Sequence, residues 1–183
     1  MQHLKKIGIF IILGLLLGLA QAVSAEPGAT GASFLKIGVG ARALGMGGAF
    51  VGLADDASAL YWNPAGTSQL NQKELFFAYN ALSQDIGQNF LGYIHPLGKR
   101  NIGLGLNGLK VGGIEGRDDE GNLSGDLEAD FSAILLNYSQ HVTPNLGIGV
   151  NGKVITGDLG GEKENALSLD LGLLYLRGNW GKP

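Results

Sequence analysis

Two glycine-rich runs, Gly103–Gly108 and Gly147–Gly152, match the spacing G-x-G-x-x-G that could bind a dinucleotide. In dinucleotide-binding proteins this spacing lies at a strand-to-helix turn within a βαβ unit. Here each run lies within a series that alternates glycine with apolar residues, as in Ile102-Gly-Leu-Gly-Leu-Asn. Alternation with a period of two predicts a strand, not a turn. We therefore expect no dinucleotide and no other cofactor.

The remaining titratable side chains also lack the spacing of a catalytic or metal site. The chain has no Cys, which excludes disulfides, thiolate catalysis and Cys-ligated metals. His95 and His141 have no Ser or acidic neighbour in a catalytic pattern, and both are expected near a membrane interface. The acidic run Asp118-Asp119-Glu120 does not fit an EF-hand loop and predicts a solvated loop. A net charge of −3 without a basic cluster argues against nucleic-acid binding. We therefore do not expect an enzyme.

The first 25 residues have the order of a secretory signal peptide. Lys5 and Lys6 precede an apolar run from Ile7 to Ala20, and Val23-Ser24-Ala25 offers small residues for cleavage after Ala25. A membrane-spanning helix needs about 20 apolar residues, more than this run provides. The sequence therefore predicts an exported protein.

Six segments predict β-strands. Glycine, at 32 of 183 residues, is far above the usual share of about 7%, and much of it alternates with apolar residues. Alternation places Ile102, Leu104 and Leu106 on one face of a strand, opposite Gly103, Gly105 and Asn107. The six predicted strands lie within residues 74–79, 89–95, 102–107, 131–138, 146–151 and 167–175.

The connections between these strands predict an up-and-down meander. Short turns at 98–101 and 143–145 alternate with longer polar stretches at 112–128 and 156–165, which we interpret as loops. Short turns at one end and long loops at the other are typical of outer-membrane barrels. A water-soluble antiparallel sheet with one buried face shows the same alternation, so the strand pattern alone leaves both classes open.

A distinctive motif precedes the strands. It runs Gly40-Ala-Arg-Ala-Leu-Gly-Met-Gly-Gly-Ala and continues to Asp55-Asp-Ala-Ser-Ala-Leu-Tyr-Trp-Asn-Pro-Ala-Gly66. Its second half predicts a short helix capped by Asp55, with Asp56 beside it near the positive end of the helix dipole. Asn63-Pro64 is expected to end the helix, and Gly66 can adopt a positive φ there.

Over about residues 34–70 this motif resembles the N-terminal signature of PorV/PorQ-like proteins, a group of FadL-related outer-membrane β-barrels. The resemblance implies an all-β, antiparallel up-and-down outer-membrane β-barrel. Residues 26–72 would form a small hatch with a short helix, and residues 73–183 the first strands. Phe50, Leu53, Tyr61 and Trp62 would pack on the barrel wall. Seven hatch residues would have a structural role and are also candidate ligand contacts: Asp55, Asp56, Tyr61, Trp62, Asn63, Pro64 and Gly66.

The same resemblance implies transport across the outer membrane. The partners would be outer-membrane lipid and either hydrophobic small molecules or secreted cargo proteins with secretion-system subunits. Even the smallest transmembrane barrels have about eight strands, and six would leave two open edges in lipid. We therefore expect the N-terminal part of a longer barrel, and the second explanation is that several copies assemble into one barrel. The alternative is a soluble periplasmic or surface-exposed β-sheet protein with a structural or binding role.

Overall fold

The computed structural model describes residues 30–117 and 121–176, and the described residues from Gly31 onward belong to one compact unit. The predicted signal peptide at 1–25 and the acidic run at 118–120 lie outside the described residues. Short helical turns come first, and a six-stranded sheet follows. Residues 31–72 are called the N-terminal segment below.

The N-terminal segment contains only short helices. Its α-helices are α1 (Ala41–Gly45) and α2 (Ala59–Trp62), and its 3₁₀ turns are Thr30–Lys36, Ala49–Gly52 and Gly66–Gln69. Frequent glycine and the Asn63-Pro64 step prevent longer runs, because glycine and proline are the poorest helix formers. Among the described residues no helix has both the length and the apolar character needed to cross a bilayer.

The described strands form one antiparallel sheet in chain order. They are β1 (Glu74–Ser83), β2 (Ile86–Pro96), β3 (Arg100–Arg117), β4 (Leu123–Thr143), β5 (Leu146–Leu159) and β6 (Glu162–Tyr175). Each strand pairs with the next, while β1 and β6 each have one neighbour in the described part of the chain. The all-β, up-and-down arrangement of six strands is therefore confirmed, in an open sheet.

The predicted long loops at 112–128 and 156–165 are wrong. β3 and β4 remain paired as far as Arg117 and Leu123, and β5 and β6 as far as Leu159 and Glu162. Gly160 and Gly161 close the second hairpin with φ of 58° and 96°, as a two-residue hairpin turn requires. These hairpin arms are largely exposed and therefore have the polar composition of a loop, which explains the wrong prediction.

The predicted short turns are confirmed. Three residues separate Pro96 from Arg100, and two separate Thr143 from Leu146. We call this end of the sheet the turn end. The β1–β2, β3–β4 and β5–β6 connections lie at the opposite end, called the hairpin end.

The two faces of the sheet have opposite surroundings. The N-terminal segment packs on one face, called the covered face, and leaves the other, called the free face, exposed. One apolar cluster joins segment residues such as Leu60 to Phe90 and Ile94 of β2. A second cluster joins Phe34 to Leu135 of β4 and neighbouring residues of the sheet. The protein core therefore lies between the segment and the sheet.

Candidate functional site

The Asn63-Pro64-Ala65-Gly66 turn rests directly on glycines of β5 and β6. A Cβ atom added to Gly149 would lie 2.5 Å from the backbone nitrogen of Ala65, and one added to Gly172 would lie 2.8 Å from it. Real Cβ atoms essentially never approach a heavy atom closer than 3.0 Å. The glycines on the covered face therefore let two backbones meet, which accounts for their cost as strand residues.

Leu60 of α2 also packs closely against a strand glycine, here on β3. It is fully buried, and a Cβ on Gly103 of β3 would lie 2.7 Å from its Cδ2 atom. A Cβ on Gly92 of β2 would lie 3.1 Å from the carbonyl oxygen of Ala57. Glycine is thus placed under the segment on four of the six strands.

Each of the strands β1 to β5 also donates a side-chain amide to a backbone carbonyl of the segment. An irregular segment has carbonyl groups that no helix or sheet pairs, and buried carbonyls need partners. Each of these five strands contributes one carboxamide that donates to such a carbonyl. The bonds run from Asn80 to Gly38 (3.0 Å), Gln88 to Ile37 (3.2 Å), Asn101 to Leu70 (2.8 Å), Asn137 to Pro64 (3.3 Å) and Asn151 to Leu60 (2.7 Å).

Thr67 extends this network into β4. Its hydroxyl oxygen lies 2.8 Å from Oδ1 of Asn137 and 2.7 Å from the hydroxyl oxygen of Ser139. The hydroxyl can donate to the amide oxygen and accept from Ser139. All three side chains are buried, so these bonds are shielded from competing water.

Tyr61 and Trp62 tie the preceding part of the segment to α2. The Tyr61 hydroxyl lies 2.5 Å from the carbonyl oxygen of Leu35 and 2.7 Å from that of Ile37, and Trp62 Nε1 donates to Val39 at 2.9 Å. Burial, and then the nearby Asp170 carboxylate, raise the pKa of Tyr61 to about 12. Tyr61 also contacts the sheet, its ring centroid 6.1 Å from that of Phe90.

Asp55 does not cap the helix, and this expectation is wrong. Its carboxylate accepts two hydrogen bonds from Arg42, at 2.6 and 3.1 Å, and the Asp55 hydrogen bond is the main cause that raises the Arg42 pKa. Asp56 instead accepts from the backbone nitrogen of Ser58 at 2.8 Å, just before α2.

Asn63-Pro64 ends α2 as expected, but Gly66 acts differently from the expectation. Asn63 is extended, with φ −157° and ψ 107°, and its amide donates to the Leu173 carbonyl of β6 at 3.2 Å. Gly66 is not among the positive-φ residues. A Cβ there would instead lie 3.1 Å from Cβ of Ala59 and would overlap Ala54. Gly66 therefore serves close packing, not a left-handed turn.

Of the four residues expected to pack on the sheet, Tyr61 and Trp62 pack against the cluster that holds Phe90 and Ile94. Phe50 and Leu53 pack within the segment, where Phe50 is fully buried. The sheet is also contacted by Leu60 and by Phe34, whose ring stacks on Phe131 at 5.7 Å. Sequence reasoning missed these residues and the wall carboxamides, although alternation does place Asn107 and Asn151 opposite the leucines.

The free face is apolar across all six strands. Residues paired from strand to strand form rows that run across the sheet from β1 to β6. One such row is entirely apolar: Phe77, Leu91, Leu106, Ile134, Val154 and Leu167. The next row toward the hairpin end is largely polar: Tyr79, Asn89, Gly108, Ser132, Thr156 and Asn165. Exposure reaches 69% for Leu75, 78% for Leu167 and 72% for Leu173. The covered face thus holds amides and glycine beside its buried apolar side chains, whereas the free face holds exposed leucine.

This apolar band slopes relative to the rows of paired residues. Phe77 of β1 and Leu167 of β6 occupy the same row. On β1 the large free-face side chains continue one row beyond Phe77 toward the hairpin end, as far as Tyr79. On β6 they continue from Leu167 toward the turn end, as far as Tyr175. A band of constant height on tilted strands has this stagger.

Tyrosines mark the border of the band at the turn end. Tyr93 and Tyr138 are each followed on the free face by a polar residue that binds their hydroxyl. Tyr93 Oη lies 3.1 Å from Nδ1 of His95, and Tyr138 donates to Gln140 at 3.2 Å. A ring beside apolar side chains with a hydroxyl on the polar side suits an apolar–aqueous boundary.

One ion pair lies on the covered face. Lys153 Nζ lies 2.6 Å from Oδ2 of Asp170, and Asn151 donates to the same oxygen at 3.3 Å. Within the described ranges no three His, Cys, Asp or Glu residues come together as a metal site would require. The arrangement supports binding of the segment to the sheet.

Comparison with known proteins yields a family but no characterised relative. We find no match among curated proteins or among solved structures. Residues 20–160 match the family described as Uncharacterised protein family (UPF0164). This match covers most of the chain, including the N-terminal segment and strands β1 to β5. The chain therefore belongs to the UPF0164 family.

Proposed function

We propose that the chain forms part of the wall of an outer-membrane β-barrel that acts in transport across that membrane. The observation that carries the proposal is the free face, where large apolar side chains are exposed on every strand. Soluble monomers rarely expose contiguous apolar patches larger than a few hundred Å². Lipid is the environment in which such a face is stable, because its hydrocarbon contacts apolar side chains without cost.

The distribution of residues between the two faces disfavours the soluble alternative. A soluble sheet with one buried face would cover its leucines and expose its amides. Here Asn101, Asn137 and Asn151 are buried under the N-terminal segment, while Leu104, Leu136 and Leu169 are exposed. Apolar residues outward and small or polar residues inward is the arrangement of a transmembrane barrel.

The height of the band also supports a bilayer crossing. On β6 the exposed apolar residues extend from Leu167 to Tyr175. This span is about 26 Å along the strand at roughly 3.3 Å per residue. Tilted transmembrane strands need about 9–11 residues to cross the hydrocarbon. In lipid the unpaired backbone of β1 and β6 would need further strands, so the proposal includes additional strands that close the barrel.

The resemblance to PorV/PorQ-like and FadL-related proteins suggests two cargos. One is a hydrophobic solute, and the other is a secreted protein delivered with secretion-system subunits. Deletion of the gene distinguishes them: loss of uptake with intact secretion supports solute passage, and the reverse supports secretion.

Membrane fractionation tests the shared part of the proposal. The full chain, expressed with its leader, is expected in the outer-membrane fraction. It should stay there through high-salt and alkaline washes and leave only with detergent. Recovery of folded protein in the periplasm without detergent would contradict the proposal and favour the soluble alternative.

A further inference from the structure

We infer that residues 57–70, called the docked stretch, are a permanent part of the wall and not a plug that leaves it. The inference deepens the proposed function and rests on it in one respect. If the chain is a transport barrel, cargo must pass on the side of the N-terminal segment that faces away from β1–β6.

Hydrogen bonds hold the docked stretch in two rows of paired residues on three adjacent strands. Asn101 of β3 binds Leu70, Asn137 of β4 binds Pro64, and Asn151 of β5 binds Leu60. Lifting the stretch would separate the donors and the acceptors of these buried bonds at once. Unless water replaces every partner, each separated group carries a desolvation penalty.

Shape complementarity opposes sliding as well as lifting. Pro64 and Ala65 sit above Gly149 and Gly172, and Leu60 sits above Gly103. A shift of two residues toward the hairpin end would move the turn onto Asn151 and Asp170. A shift toward the turn end would move it from Gly172 onto Leu174. At Gly149 and Gly172 the present contacts leave no room even for a methyl group. The docked stretch therefore fits in one register.

The side of the segment that faces away from the sheet is more exposed and less tightly packed than the docked stretch. Leu44, Met46 and Val51 are 45%, 41% and 45% exposed. Additional Cβ atoms on Gly45 and Gly52 would meet nothing within 4 Å. Rearrangement during transport would therefore involve residues 41–52, and the docked stretch would stay in place.

Thiol labelling tests this inference directly, because the chain has no Cys. Full-length Thr67→Cys and, in case that variant does not fold, Ser68→Cys report on the docked stretch. Leu44→Cys is the matched control on the exposed side. Each is expressed in cells and treated with a small water-soluble maleimide. We expect labelling at position 67 or 68 to be roughly 100-fold slower than at position 44, since opening of a packed region must come first.

Equal labelling rates at positions 67, 68 and 44 in folded protein would overturn the inference. A disulfide in the double variant Thr67→Cys/Ser139→Cys gives a second readout, since the two hydroxyl oxygens are 2.7 Å apart. Nearly complete cross-linking is expected, and little cross-linking would contradict a fixed contact. Fractionation is scored separately. Slow labelling in a periplasmic protein would thus overturn the proposed function while leaving the fixed contact intact.

Discussion

Gly149 of β5 and Ala65 of the N-terminal segment are in backbone contact, so close that a methyl group on the glycine would lie 2.5 Å from the Ala65 nitrogen. This contact joins two parts of the chain that are separated by more than eighty residues in sequence. It links the Asn-Pro-Ala-Gly turn to the alternating glycines of the strands. The strand glycine gives the turn room to approach the sheet, and this close approach explains why the strand has glycine there.

Gly149→Ala should therefore destabilise the fold by about 1–3 kcal/mol, because overpacking forces the backbone apart. Gly152→Ala is the matched control, since a Cβ there would meet nothing within 4 Å. That change should stay within about 0.5 kcal/mol of the parent. Unfolding in detergent micelles measures both. Equal effects of the two substitutions would refute the close contact.

Asn151→Ala should lower the free energy of unfolding by about 1–3 kcal/mol, because it leaves the buried Leu60 carbonyl without its 2.7 Å donor. Asn89→Ala, at an exposed free-face position, should have little effect. The same unfolding experiment compares them. A neutral Asn151→Ala would mean that the wall carboxamides do not hold the segment.

A lysine on the free face should be costly only within the apolar band. Leu169→Lys is expected to cost about 2–4 kcal/mol in a bilayer, and Asn165→Lys, nearer the hairpin end, about 0–1 kcal/mol. Unfolding from lipid vesicles measures the difference. Similar values for both positions would argue that this face is not in lipid.

The half-buried Tyr61 phenol predicts a loss of stability at alkaline pH. Its pKa rises from the ordinary 10.0 to about 12 in the folded protein, so folding favours the neutral form. This contribution is fully present below pH 10 and is lost as pH rises through 12. In Tyr61→Phe, the absorbance titration should lack one phenolate that forms near pH 12. An unchanged titration curve would contradict the assignment.

Local periodicity predicted much of this fold. The alternation in Ile102-Gly-Leu-Gly-Leu-Asn identified the strand and its two faces, because side chains on a strand point alternately to opposite sides. The short turn before Arg100 and the break at Asn63-Pro64 also followed from local chemistry. The ends of the hairpins did not, since an exposed polar arm has the composition of a loop.

The partners of the docked stretch could not be predicted, because they depend on contacts that are distant in sequence. Asp55 has the right type and position for a helix cap, yet tertiary structure places Arg42 beside it. Gly66 could have served a left-handed turn, but Ala54 and Ala59 occupy the space its side chain would need. Which face of the sheet is covered is likewise a tertiary property, and it separates the membrane and soluble interpretations.

The most direct measurement of the central claim is the collision rate of a spin label on the free face with oxygen and with a water-soluble nickel complex. The protein has no Cys, so labels at Leu169→Cys and Asp158→Cys can be compared in membranes. The account predicts that the label at position 169 collides with oxygen and is protected from nickel, and that the label at 158 is accessible to nickel. Equal nickel accessibility at both positions would contradict a lipid-facing wall.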